Sequence, residues 1–328
     1  MEKLSLILET ENLGMAELAD LDTSLTSIKY QDYPINNIFE VLVVIGSKVT
    51  PKVQGFIKKH YPWVRLHTVN GSLDYAKSKM EGAKAAKGNI LVFCDSDVSY
   101  EKTWLRNMVN AFKKYPEGVV MSGDTRLTTI SSYHMALNAT WMIQILSEKI
   151  NGLVPQHFFP LNNFAIRRQD MMNNPLPYTL PLYRNKIPIW EKVLTNAGLK
   201  IMRVPGTRGF HAPPGKLIDW FYRMLIYGAD FVALADFSLS KSSEVIEKIN
   251  VAGRLFQLII LGPWKLKELV VNTIKLMGED ISRVKYLPGA LIISVANISV
   301  MLLGALIAFF NRDFLFNKIN AHEANHNV

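Results

Sequence analysis

The sequence predicts an α/β domain with a mostly parallel sheet, followed by helices suited to an interface and one helix long enough to cross a bilayer. Three observations predict it. Strand-like and helix-like patterns alternate through about residue 125, as they do where helices cover a parallel sheet. Within that stretch, Asn89 to Val98 is an apolar run that closes on Asp95-Ser96-Asp97. Its branched and aromatic residues suit a central strand, and ligands of open α/β sheets bind where such strands end. Gly289 to Phe310 is 22 residues without a charge, the length a bilayer requires.

The elements follow in order. Leu4 to Leu8 is the first strand, too short for the apolar part of a signal peptide. Met15 to Ile28 has helical spacing, with Leu18, Leu21, Leu25 and Ile28 on one face. Phe39 to Ile45 is a strand, Val53 to Tyr61 a helix, Val64 to Thr68 a strand and Asp74 to Lys87 a helix. After the central strand, Tyr100 to Tyr115 is an amphipathic helix and Gly118 to Ser122 a strand. Ser131 to Ile150 is a longer apolar helix. Prolines 175, 177 and 181 mark a non-helical segment, and Pro188 opens a helix that Gly198 ends. Lys200 to Val204 is a strand, and Gly206 to Gly215 a loop carrying Arg208 and His211. Leu255 to Trp264 and Leu266 to Met277 are separate short helices, apolar on one side with lysines at the edge, as at a membrane surface.

Composition narrows the partners. The chain has 328 residues, 49% of them hydrophobic, so a large core is available. Its single cysteine, Cys94, allows no internal disulfide and fits a reducing compartment. The net charge of +9 is uneven: residues 151–216 hold nine Lys/Arg against Asp170 and Glu191. A basic stretch suits a phosphorylated ligand or an anionic lipid surface. The aromatic-interleaved glycine motifs of RNA-binding domains are absent, so no nucleic-acid partner is expected.

Asp95 and Asp97 are carboxylates two residues apart at a strand end. On their own they are either a solvated turn or ligands for a hard cation such as Mg²⁺ or Mn²⁺. The surrounding motifs extend the second reading. Thr10-Glu11-Asn12 follows the first strand, and Val44-Ile45-Gly46-Ser47 follows the second. Tyr75, Lys79, Gly82, Ala86 and Gly88 precede the central strand. Asn162-Asn163-Phe164-Ala165-Ile166-Arg167-Arg168 and Gly198 to His211 lie downstream. In order and spacing these motifs resemble the family 2 glycosyltransferases over roughly residues 4 to 230.

The resemblance implies a GT-A fold, Rossmann-like, with C-terminal interfacial helices and a transmembrane helix. It implies a metal-dependent, inverting transfer of a sugar from a nucleotide-diphosphate donor to a lipid or lipid-linked glycan acceptor. Mn²⁺ or Mg²⁺ would lie at Asp95, Asp97 and His211. The donor would meet Thr10, Glu11, Asn12, Lys79, Asp95 and Arg208, and the acceptor Asn163, Arg167 and Arg168. The family's usual acids are missing at Ile45 and Ile187. Glu191, one helical turn beyond Ile187, is therefore the expected general base, and Asp124 the second choice. The expected layout is a catalytic domain over 1–215, with a nucleotide half (1–125) and an acceptor half (126–215). Interfacial helices follow over 216–286, a span over 287–311 and a tail over 312–328. Such a protein is a single-pass membrane enzyme with its catalytic domain in the cytosol. The missing acids leave a non-catalytic nucleotide-sugar-binding or scaffold protein as the alternative.

Overall fold

The apolar runs of the N-terminal half become the strands that the alternation predicts. The computed structural model describes residues 2–10, 18–46, 49–70, 73–115, 117–141, 152–240 and 244–325, with side chains through 318. The chain divides into two compact units. The first is Met1–Thr125, Glu148–Thr179 and Trp190–Ala212; the second is Arg126–Ser147, Leu180–Ile189 and Pro213–Val328.

In the first unit, β1 (Leu4–Glu9), β2 (Glu40–Ile45), β3 (Val64–Thr68) and β4 (Ile90–Asp95) pair in parallel, in the order β3-β2-β1-β4. Every residue of β1 and β4 is buried, which is why both read as largely apolar runs. Helices α1 (Leu18–Lys29), α2 (Pro51–His60) and α3 (Tyr75–Ala85) connect them. α1 buries Leu21, Leu25 and Ile28, the row its spacing predicts. Thr50 and Asp74 cap α2 and α3 by accepting from the N–H of Val53 and Lys77. Next come β5 (Val98–Tyr100), α4 (Trp104–Lys114) and β6 (Val119–Arg126). After α5 (Ser132–Thr140) of the second unit follow β7 (Val154–Pro155), β8 (Phe164–Arg167), α6 (Arg168–Asn173), α7 (Ile187–Asn196) and β9 (Lys200–His211).

The sheet order is β3-β2-β1-β4-β8-β6-β9-β5, with β7 on β9. β8 is antiparallel to both β4 and β6, so β6 runs the same way as β1 to β4 and the sheet is mostly parallel. Two local expectations change. Val98–Tyr100, expected to lead into a helix, is a strand paired with Gly209–His211. Correspondingly, the expected loop carrying Arg208 and His211 is the end of β9. Pro205-Gly206 reads as a break, but Gly206 takes a positive φ of 65° and the strand continues past it.

The second unit contains α5, α8 (Leu217–Ala233), the hairpin β10 (Phe237–Leu239) and β11 (Val245–Glu247), α9 (Val251–Glu279) and α10 (Leu287–Asn325). Leu137, Met224, Leu261, Met301 and Ala305 share one buried cluster. α8 and α10 approach so closely that a Cβ on Gly228 would lie 1.8 Å from the Met301 carbonyl oxygen. Asn297, near the middle of the uncharged run, accepts from Trp220 Nε1 (2.7 Å) and donates to Thr140 Oγ1 (2.8 Å). α9 is one helix where two were expected. Lys265 does not end it, because its ammonium turns inward onto Thr140 O, Tyr227 and Glu268. α10 is long and apolar enough to cross a membrane. Within it, Asn311 has non-helical angles (φ −154°, ψ 83°), and its side chain caps the next turn at Phe314 N.

Candidate active site

The parallel register sets Glu9 beside Asp95 at the C-terminal ends of β1 and β4. Asp95 is held at every polar atom. Lys79 Nζ on α3 lies 2.5 Å from Oδ1 and Tyr75 OH donates to Oδ2 at 2.8 Å. The backbone N–H of Asp95 donates to Tyr100 OH, and its carbonyl accepts from Ser24 Oγ. Lys79 is fully buried, and a buried ammonium is tolerable only with such a partner.

Asp97 lies two residues on, where the chain turns into β5. The pairing of Val98 with His211, together with a bond from Ala212 N–H to the Asp97 carbonyl (2.8 Å), brings His211 beside it. His211 Nδ1 is 2.5 Å from the Ala212 carbonyl. A carbonyl only accepts, so Nδ1 donates there, and Nε2 is the ring nitrogen that faces Asp97. Nε2 is 3.6 Å from Asp97 Oδ2. Asp97 Oδ1 is buried and has no hydrogen-bond partner among the described residues.

Further back along β9, Arg208 lies between two acids. Its Nη1 is 3.2 Å from Glu101 Oε1 and its Nε 3.7 Å from Asp124 Oδ2. Asp124 is buried at the end of β6. Asn163 fixes this junction: Oδ1 accepts from Trp104 Nε1 at 2.7 Å, while Nδ2 donates to the carbonyls of Asp124 and Thr207. Gly123 makes room, since a Cβ there would lie 2.1 Å from Asn163 Oδ1.

The structure thus brings Asp97 to His211, and Asp124 to Arg208 and Asn163. It places Lys79 on Asp95, and it turns Thr10 Oγ1 onto the Val44 carbonyl at 2.5 Å. Glu11 and Asn12 lie outside the described residues. Arg167 and Arg168 sit at the opposite end of β4: Arg167 pairs with Ile90, and Arg168 N–H donates to Asn89 O. There they line a cleft of about 550 Å³ with Lys87. Glu191, on α7, meets His157 at 3.5 Å. Burial pushes its carboxyl above the usual range, partly opposed by His157. No group of three metal-ligating side chains forms among the described residues. Sequence reasoning gave no role to Glu101, Tyr100 or Trp104. Only the pairing of β5 with β9 brings Glu101 to Arg208, and no spacing in the sequence signals that pairing.

Residues 16–174 match the Glycosyl transferase family 2 profile. No curated protein matches the chain by sequence. Among solved structures, one similar chain is the mannosyltransferase PcManGT from Pyrobaculum calidifontis, in complex with GDP-Man and Mn²⁺. The identity is 15%, the TM-score 0.58, and the match covers 95% of this chain and 88% of that one. Another is GalNAc-T7 with UDP, GalNAc and Mn²⁺, at 12% identity and a TM-score of 0.52. That match covers 71% of this chain and about half (51%) of the other. At these identities the structures carry the fold alone, a GT-A fold, and residues 16–174, just under half of the chain, form a glycosyl transferase family 2 domain.

Proposed function

We infer that the protein transfers a sugar, with inversion, from a nucleotide-diphosphate donor to a membrane-held lipid or lipid-linked glycan, with the catalytic domain on the cytosolic side. The observation that carries the reading is the Asp97–His211 pair. Asp97 Oδ2 and His211 Nε2 face each other at 3.6 Å, and the buried Oδ1 of Asp97 has no hydrogen-bond partner among the described residues. A carboxylate oxygen and an imidazole nitrogen so placed fit a shared divalent cation. Mg²⁺ and Mn²⁺ use few protein ligands and fill the remainder with water and substrate phosphates, so two protein side chains suffice. Asp97 and His211 would hold the ion, which when bound offsets the charge that builds on the departing diphosphate.

Asp95 has another part. Lys79 and Tyr75 occupy its carboxylate, so it fixes the strand end from which Asp97 projects and faces the donor. Asp124 is the general base. Arg208 pairs with its carboxylate and Asn163 holds its backbone carbonyl, and a base must be fixed within reach of the hydroxyl it deprotonates. Arg208, bound on one side by Glu101, presents its guanidinium to the phosphates.

The test is a panel of UDP- and GDP-sugars with Mn²⁺ and lipid extracts, read by the nucleotide released. Release of a nucleoside diphosphate, lost in Asp97→Asn, supports the reading. Release of pyrophosphate, or tight donor binding without turnover under any condition, rejects it.

A further inference from the structure

In the second unit, α9 and α10 are packed together along their lengths in opposite directions. Leu276 clusters with Ala290, Leu269 with Ile298, and Leu261 with Met301. Each helix also carries an exposed apolar stripe, represented by Phe256, Ile259 and Ile274 on α9 and by Ile292, Val295 and Phe310 on α10. α9 has 29 residues, so at ~1.5 Å per residue the helix that carries its stripe is about 43 Å long. Two helices wide, the apolar face exceeds the few hundred Å² of apolar patch that an ordinary monomer exposes.

Charge identifies the occupant. Between Arg254 and Gly278 the one acid in the sequence is Glu268, which is turned inward onto Lys265. Lys267 is exposed within the stripe, and Lys285 and Lys318 are exposed towards its two ends. Apolar side chains interspersed with and flanked by lysines suit a surface of acyl chains and anionic headgroups, the lysine stems reaching to the headgroups.

The ends of the pair are tied together. Arg312, just past the apolar stretch of α10, lies 3.3 Å from Glu247 and 3.8 Å from Asp236. Both acids precede α9, and Asp236 also holds Arg254 near its start. A lone span by α10 would carry Arg312 to the opposite face of the bilayer and strip α9 from its packing.

We propose that α9 and α10 meet a lipid bilayer as one hairpin, with the residues before α9 and the tail after Phe310 on the same side. The proposal rests on the membrane partner inferred above and not on the chemistry at Asp97. Donor hydrolysis by the detergent-solubilised chain tests that chemistry separately.

The test uses the full chain reconstituted in sealed vesicles of phosphatidylcholine with phosphatidylglycerol. Lys248→Cys and Lys318→Cys place single labels at the two tied ends; native Cys94 is buried and serves as background. An impermeant maleimide is expected to label the same fraction of both positions, measured against detergent-opened vesicles. Complementary fractions, one position inside wherever the other is outside, overturn the proposal. Ile292→Glu with Phe310→Glu changes two exposed residues and is expected to cut vesicle flotation at least tenfold, because acids are costly to place in lipid. Unchanged flotation, or a chain that stays out of vesicles as a stable dimer covering this face, also overturns it.

Discussion

Lys79 Nζ and Asp95 Oδ1 are 2.5 Å apart, with side chains 0% and 2% exposed. The first acid of Asp95-Ser96-Asp97 is thus bound to a cation that the protein itself supplies. Removing one partner strands a buried charge. Lys79→Met is expected to cost about 3–5 kcal/mol of stability. The double variant Lys79→Met/Asp95→Asn should cost less than the two single changes summed, because it strands neither charge. Urea titration of the four chains of this cycle measures the coupling.

Asp124 and Glu191 are separated by a simple kinetic comparison. With Asp124 as base, Asp124→Asn should lower kcat by about 10²–10⁴ and leave the donor KM within a factor of about three. Glu191→Gln should keep near-normal turnover with both substrates saturating. The reverse pattern returns the role to Glu191.

Glu191 also has a pH signature. Burial raises its carboxyl pKa in the folded chain. The fold therefore favours the protonated form. That contribution is complete below the ordinary carboxylate pKa and is lost as pH rises through the raised value. Glu191→Gln should accordingly raise the melting temperature at pH 7 and leave it nearly unchanged at pH 3. A gain of equal size at both pH values contradicts this.

Gly228→Ala tests the approach of α8 to α10. The added Cβ would lie 1.8 Å from the Met301 carbonyl oxygen, a helix backbone that cannot yield as a side chain would. The expected loss is about 1–3 kcal/mol or more. Gly278→Ala, where a Cβ would meet nothing within 4 Å, is the control and should be neutral or slightly stabilising. Thermal unfolding of the two variants decides it.

Much of the first unit is legible because burial on both faces leaves a plain mark. β1, β2 and β4 are apolar runs, and α1 shows its buried row in its spacing. Asp95 and Asp97 are visible as a strand-end pair, but the sequence does not reveal that one is bound to Lys79 while the other faces His211. That difference depends on α3 delivering Lys79 and on β5 pairing with β9, and both are contacts between distant segments. Arg167-Arg168 reads as a functional pair by motif, yet β8 runs antiparallel to β4 and carries it to the far end of the sheet. Asn163 reads as a substrate contact; the structure instead occupies both ends of its amide within the protein. In the second unit Lys265 looks like a break in an apolar run, because its partners Thr140 and Tyr227 are far away in sequence.

The most direct test of the central claim is Mn²⁺ binding in the presence of UDP or GDP, by electron paramagnetic resonance or calorimetry, which needs no acceptor and no turnover. The wild-type chain should bind Mn²⁺ with nucleotide. Asp97→Asn and His211→Ala should each weaken that binding at least tenfold, while Glu191→Gln leaves it unchanged. Wild-type affinity in Asp97→Asn would contradict the account.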